Sequence, residues 1–290
     1  MDDFRFGLTG PPRDLPLLVR ARLLTGGFMN QFGWAFFGFG MIFVWVFVAE
    51  ADLTGWITFG CELETAQGVA TGRKETSLHI NDSPVYLTRY RFTVDDKQYE
   101  GTSYATGRSH EKGEAVTVEF PVGNPSRSRI RGMRTKPMVA WCLFILIFPA
   151  VGICCIIPGT RRGLKALRLL KRGIPAEGRL VDKARTTTRI NDDWVYRYTF
   201  EFSDDGGRTH RAIAKTHLTY LLEDGELEPL LYDPMNPEHA ILIDHLPGAP
   251  RIDEMGQIRN SGLFATLRSM FLPMVAILGH GTYAIMRFLG

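Results

Sequence analysis

Three stretches of the sequence carry no Asp, Glu, Lys or Arg: 25–49, 137–157 and 269–286. The segments between them have the charge density of a soluble protein. A helix rises about 1.5 Å per residue, so about 21 residues reach roughly 31 Å, the thickness of a bilayer's hydrocarbon core. Each stretch is therefore a candidate transmembrane helix, and the 290-residue chain reads as spans alternating with globular parts. A cleavable signal peptide competes for the first stretch. Against it stand an apolar length beyond the usual signal core and the bulky run FVWVFVAEAD where cleavage requires small residues.

The polar segments hold a repeat. INDSPVY begins at Ile80 and INDDWVY at Ile190, and the same offset of 110 lays Gly68 on Gly178, Phe92 on Phe202 and Phe28 on Met138. With two more residues of offset, Gly113-Glu114 meets Gly225-Glu226 and Asn124-Pro125 meets Asn236-Pro237. Ordered matches of this kind point to internal duplication of one helix plus one globular domain, closed by a third helix. Within each copy the period is two. Tyr86, Tyr90, Phe92 and Val94 are expected on one face with Thr88, and Arg89 and Arg91 on the other; Tyr196, Tyr198, Phe200 and Phe202 alternate in the same way. That pattern is a half-buried strand, and the Asn-Asp pairs before it are hairpin-tip residues.

The expected fold class is a multi-pass membrane protein: three transmembrane α-helices with two small all-β domains, barrel or sandwich, related by duplication. The expected boundaries are a cytoplasmic tail over 1–24, spans over 25–49, 137–158 and 263–288, and β-domains over 50–136 and 174–246. A basic amphipathic connector occupies 159–173 and a linker 247–262. Domains of about 65 residues bury only about 60% of their unfolded surface. The four cysteines, Cys61, Cys142, Cys154 and Cys155, offer no disulfide framework, and Cys154 and Cys155 read as apolar filler rather than lipidation sites.

GVATGRKETSLHINDSPVYLTRYRFTVDDKQYEG and GEAVTVEFPVGNPSRSRIRGM, followed by LLKRGIPAEGRLV, VYRYTFEF and LLYDPMNPEHAILID, resemble two copies of a bacterial membrane-associated β-domain, domain of unknown function 3592. The resemblance covers roughly 54–134 and 173–246. Its elements are a glycine near the first strand, a Val-Tyr strand and a Tyr-Asp-Pro-x-Asn-Pro ending. The first copy departs from that ending, with Phe120-Pro121-Val122-Gly123 where the second has Tyr232-Asp233-Pro234-Met235. The resemblance implies a bacterial inner-membrane protein and brings no catalytic residues.

Candidate sites are few. Arg161, Arg162, Lys165, Arg168, Lys171 and Arg172, interleaved with Leu164, Leu167 and Leu170, form a basic stretch suited to an anionic lipid surface or to a connector helix packed on the second domain. His280 is an ionisable group within the third span, where it serves either a proton or helix packing. Gly26, Gly33 and Gly40 recur every seven residues, as a close-packing seam would. His210, His217, Asp204 and Asp205, and the Asp82 turn, lack metal-site spacing, so neither a metal nor a cofactor is expected. The residues that the copies share build turns and cores, leaving Asp82 and Asp192 alone for catalysis, too little for acid–base work. A net charge of +3 gives no argument for nucleic acid. The expected function is a non-enzymatic scaffold or accessory subunit whose β-domains are interaction or assembly modules, with the bilayer and a protein partner or further copies as its partners. The alternative is a membrane-bound enzyme or small-molecule binder.

Arg5, Arg13, Arg20 and Arg22 precede the first stretch and acidic residues follow it, so the positive-inside rule places the N-terminus in the cytoplasm. The second stretch has basic residues on both flanks, which leaves open a re-entrant hairpin broken at Pro149 and Gly152. Three full spans predict that an impermeant reagent labels a cysteine placed at Gly107 in intact cells and fails to label one placed at Gly206. Identical labelling at both positions would rule out that topology.

Overall fold

Helix α1 (Leu17–Thr25) ends at Gly26, and Gly27, at φ +85°, turns the chain into α2 (Phe28–Phe43), which finishes in a π-helical turn over Val44–Val48. A one-turn helix, α3 (Thr54–Thr58), leads to β1 (Leu63–Ile80), β2 (Ser83–Val94), β3 (Lys97–Thr106), β4 (Ala115–Pro121) and β5 (Arg129–Ile130). A 3-10 segment over Ala140–Leu146 runs into α4 (Ile147–Arg172). There follow β6 (Ile174–Ile190), β7 (Asp193–Ser203), β8 (Thr209–Thr216), β9 (Leu227–Asp233) and β10 (Asn236–Leu242), a short ladder of β11 (Arg251–Ile252) with β12 (Ile258–Arg259), and α5 (Leu263–Phe288). This is a computed structural model describing residues 8–190, 192–217, 219, 227–247, 250–252, 256–259 and 262–289. Asn191, in the second hairpin motif, and the Gly225-Glu226 match lie outside the described residues.

The chain forms two compact units, Phe39–Pro149 and Met1–Gly38 with Ala150–Gly290. In the first, five antiparallel strands run in the order β3-β2-β1-β4-β5. The Asn81-Asp82 tip adopts φ +48° and +61°, and Asp95-Asp96 adopts +50° and +61°. Two left-handed residues in succession match the twist of a two-residue hairpin, and Asn and Asp tolerate that region. The sheet curls, so that the Ile130 N–H donates to Ser103 Oγ at 2.9 Å and Tyr104 bridges to Arg134. Its core stacks Phe92 on Phe120 at 5.7 Å and on Tyr99 at 5.5 Å.

In the second unit the order is β10-β9-β6-β7-β8, and the curl brings the outer strands β8 and β10 face to face. The result is a nearly closed barrel rather than a two-sheet sandwich. Tyr198, Phe200, Phe202 and Leu230 fill it. The two sheets share their irregularities at positions 110 apart. β1 slips register between Ala70 and Gly72 and again between Glu75 and His79; β6 does so between Leu180 and Asp182 and between Arg185 and Arg189. At the second slip Thr76 Oγ1 donates to the Val85 carbonyl at 2.8 Å, and Thr186 Oγ1 to the Val195 carbonyl at 2.7 Å. These slips re-aim the neighbouring strand. Tyr86 and Tyr196, expected inside, are consequently half-buried, while Val85 and Val195 are buried in their place.

α4 shows no break at Gly152 and passes through Pro158, so 147–172 is one helix rather than a span plus a separate connector. Its C-terminal half buries Ala166, Leu169 and Leu170 against Val19 and Leu23 of α1 and against Leu231, Ile243, Leu246 and Ile258. The helix end is closed from a distance in sequence. Arg13, only 3% exposed, donates through Nη1 to the Leu170 carbonyl at 3.0 Å and the Gly173 carbonyl at 2.9 Å, and its own N–H donates to the Lys171 carbonyl at 2.9 Å. A cation at a helix C-terminus answers both the unpaired carbonyls and the dipole. Arg13→Met is expected to lower stability by about 2–3 kcal/mol, read as a lower melting temperature in detergent. Arg13→Lys recovers little of it, because one ammonium cannot reproduce the planar fork. An unchanged melting temperature in Arg13→Met would disprove the cap.

Candidate functional site

Three helices, Phe28–Val48, Ala140–Arg172 and Leu263–Phe288, are long and apolar enough to cross a membrane. What lets them pack is the absence of side chains. A Cβ on Gly33 would meet the Gly152 carbonyl and Ile156 at 2.8 Å, and one on Gly152 would meet the Phe37 N–H at 2.6 Å. A Cβ on Gly159 would strike Asn30 at 2.9 Å, and one on Gly163 the Leu23 carbonyl at 2.2 Å. In the other unit, a Cβ on Gly40 would strike Phe148 and Pro149 at 2.8 to 2.9 Å. Gly33 and Gly40 thus belong to the expected seam. Gly26 does not, since it ends α1 with φ −75°. The partner glycines went unread in the sequence, although Gly152 and Gly159 repeat the same seven-residue interval in the second apolar stretch.

α5 joins this bundle through His280, whose Nε2 lies 3.0 Å from the Gly38 carbonyl, with the ring edge-on to Phe37. A carbonyl only accepts, so Nε2 carries the proton and the histidine ties two helices together. Gln31 Nε2 adds a second tie, donating at 2.6 Å to the Ser269 carbonyl.

Of the six cations, Arg161, Arg162, Lys165, Arg168 and Arg172 are exposed on α4 and Lys171 is half-buried. Leu164 is exposed, Leu167 partly buried and Leu170 buried, so one face of this segment packs on the second domain while the other carries the charge. Arg168 pairs at 3.0 Å with Asp233, whose Oδ1 also accepts the Met235 N–H at 3.1 Å. The Tyr-Asp-Pro ending therefore fixes a turn and anchors a helix. Tyr232 contributes too, its hydroxyl accepting the Asp205 N–H at 3.2 Å. The first copy has Phe and Pro at those places, and its closing strand β5 spans only two residues. His245 is a neighbour of this region: burial first, and the Arg162 guanidinium second, push its pKa down to about 4, so the imidazole is neutral at pH 7.

His210 does not join His217 in a cluster; it pairs at 2.9 Å with Asp204, which also accepts the Gly206 and Arg208 N–H groups and so locks a turn. Those hydrogen bonds hold the Asp204 carboxyl below the usual range. Among the described residues no group of three His, Cys, Asp or Glu could hold a metal ion. Asp82 sits at the hairpin tip in left-handed conformation, as does Asp192.

Two of the cavities in the Phe39–Pro149 unit bear on function. One, of about 490 Å³, is lined by Thr58, Phe59, Thr102, Ser126, Arg127 and Ser128 among others, hydroxyls and a cation with no carboxylate or imidazole to transfer a proton. The other, of about 410 Å³, is walled by aromatic side chains of α2 with its π-helical turn and of the 140–148 segment, with Ile80 at the hairpin tip. Leu78 and Ile80 pack there on the cluster of Val48, Ala51, Met138, Cys142 and Ile145.

The seam and the histidine make separable predictions. Gly33→Leu is expected to abolish recovery of a folded monodisperse protein, because backbone rather than a flexible side chain occupies the space. His280→Phe is expected to fold and to lose about 1 kcal/mol, the scale of one interhelical hydrogen bond, measured by thermal melting in detergent. A Gly33→Leu protein that melts like the parent would refute the seam.

No protein-family model matches the chain. No curated protein matches it either. Among solved structures, a chain from a replication protein A heterotrimer bound to ssDNA, a study of its structure and conformational change, overlaps 74% of this chain and 53% of its own, at 8% identity and a TM-score of 0.16. The present chain thus spans about half of that one, and likeness at this level carries no argument.

Proposed function

We propose that the chain is a multi-pass protein of a bacterial inner membrane, without catalytic activity, whose strand modules are assembly surfaces for a protein partner or for further copies of itself. The observation behind this is a ladder edge left open in each sheet. Among the described residues, β1 has β4 on one side over Leu63–Val69, but from Gly72 to Ile80 it pairs with β2 alone. Among the described residues, β6 has β9 over Ile174–Arg179, and from Leu180 to Ile190 it pairs with β7 alone. A ladder edge of some ten residues recruits another strand.

Tandem duplication accounts for the matched slips and threonine bonds, and the resemblance to domain of unknown function 3592 supports the same assignment. The N-terminus lies in the cytoplasm on this reading, from the charge asymmetry around the first span. The basic face of α4 then lies against anionic headgroups where the helix leaves the bilayer.

Photoreactive side chains placed at Lys74 and Val181, both exposed on the open strands, test the assembly role at native expression levels. Crosslinks to one protein partner or to a second copy are expected, together with a complex above monomer mass after gentle extraction. A monomer by mass with no crosslink at either position would sink the proposal.

A further inference from the structure

We propose that the apolar cavity under the first hairpin tip is a lipid site, taking one acyl chain of an anionic phospholipid from the surrounding leaflet. The inference rests on reading the apolar helices as membrane spans. Phe39, Phe43 and Phe47 on one wall and Phe144 and Phe148 on the other face the cavity, and Ile80 of the hairpin tip closes part of it. All the lining side chains are apolar, so water has no partners inside. An unfilled space of this size would forfeit the dispersion contacts of every ring around it. A cavity of ~150 Å³ holds benzene, so about 410 Å³ holds roughly sixteen carbon atoms at the same density, the length of a common acyl chain.

The walls also say where the chain comes from. They belong to the charge-free stretches of two candidate spans, whose outward faces are continuous with the cavity lining: Trp141, Phe144 and Phe39 line it while remaining more than half exposed. Hydrocarbon is the medium at that surface. The helices are distorted just there, α2 by its π-helical turn and the second stretch by its 3-10 segment, which is where a separation between them opens.

The charge above the cavity selects the headgroup. Arg134 donates at 3.1 Å to the Pro137 carbonyl, one residue before the lining residue Met138, and Lys136 is exposed beside it. Arg108 is close enough to act on Arg134. Asp52 acts on Arg134, and Glu50 on Tyr104, which bridges to Arg134; the two Asp52 oxygens accept from Gly55 and Thr135. Three cations against two carboxylates leave a net positive charge, which favours a negative headgroup.

The full chain, reconstituted in nanodiscs of mixed phosphatidylglycerol and phosphatidylethanolamine, tests this by native mass spectrometry. The parent is expected to retain one phospholipid through delipidation. Ile80→Trp and Cys142→Phe, which fill the cavity, are expected to lose that occupancy about tenfold or more, because each methylene kept out forfeits its transfer free energy, with melting unchanged in at least one of the two. Equal retention in the parent and a folded filling variant overturns the site, and so does a retained isoprenoid or protein-borne acyl group. Lys136→Gln is expected to lower the preference for phosphatidylglycerol several-fold, and an unaltered ratio overturns the headgroup assignment. Release of the chain from vesicles by alkaline carbonate would instead refute the spans on which the site rests.

Discussion

Contact between backbones, with no side chains between them, holds the helical part together. In a bilayer the hydrophobic effect gives helices no reason to leave lipid for one another, so association depends on dispersion at close range and on hydrogen bonds. Gly33 against Gly152, Gly159 against Asn30 and Gly40 against Phe148 bring α2 and α4 to that range. The polar ties then fall into place: Asn30 Nδ2 donates to the Leu24 carbonyl at 2.8 Å and to Thr160 Oγ1 at 3.1 Å, and His280 and Gln31 bind α2 to α5. A methyl group at any of these glycines would separate the helices and take those donors from their acceptors.

The strand modules are held by other means. Each is a curled five-stranded sheet with one aromatic core and no disulfide among the described cysteines. Their surfaces differ while the ladder irregularities match. Arg91 pairs with Glu100 across β2 and β3, and Glu201 pairs with Arg211 across β7 and β8 with the charges exchanged. Exposed pairs like these contribute little, so the exchange costs little. Register slips and the Thr76 and Thr186 bonds set strand direction, so a change there would re-aim the whole strand.

Much of this was legible in the residues. Charge-free stretches marked the helices, and Asn-Asp marked the first hairpin tip of each module. Period-two aromatics marked the core as far as the slips, where Tyr86 and Tyr196 leave the face that simple alternation assigns to them. Alternation is a local rule, and a bulge in the neighbouring strand overrides it. Pro158 read as the end of a helix that in fact continues to Arg172, because packing of Ala166, Leu169 and Leu170 outweighs one lost backbone donor. Arg13 counted as one more cytoplasmic cation. Its role as the cap of α4 depends on residues 157 and 160 positions away, a juxtaposition that no local pattern contains.

The base of the first module is closed on itself. Ala51 bridges in parallel to Met138, the Asp52 N–H donates to the Met138 carbonyl at 2.9 Å, the Met138 N–H to the Glu50 carbonyl at 3.0 Å, and the Asp52 carboxylate holds Thr135. The segments that lead into and out of the sheet are thus riveted side by side where they join the helices. Tension applied between these two segments loads those bonds first. Mechanically the base of the module is a closed clasp, with Leu78 and Ile80 of the hairpin tip resting on the cluster beside it.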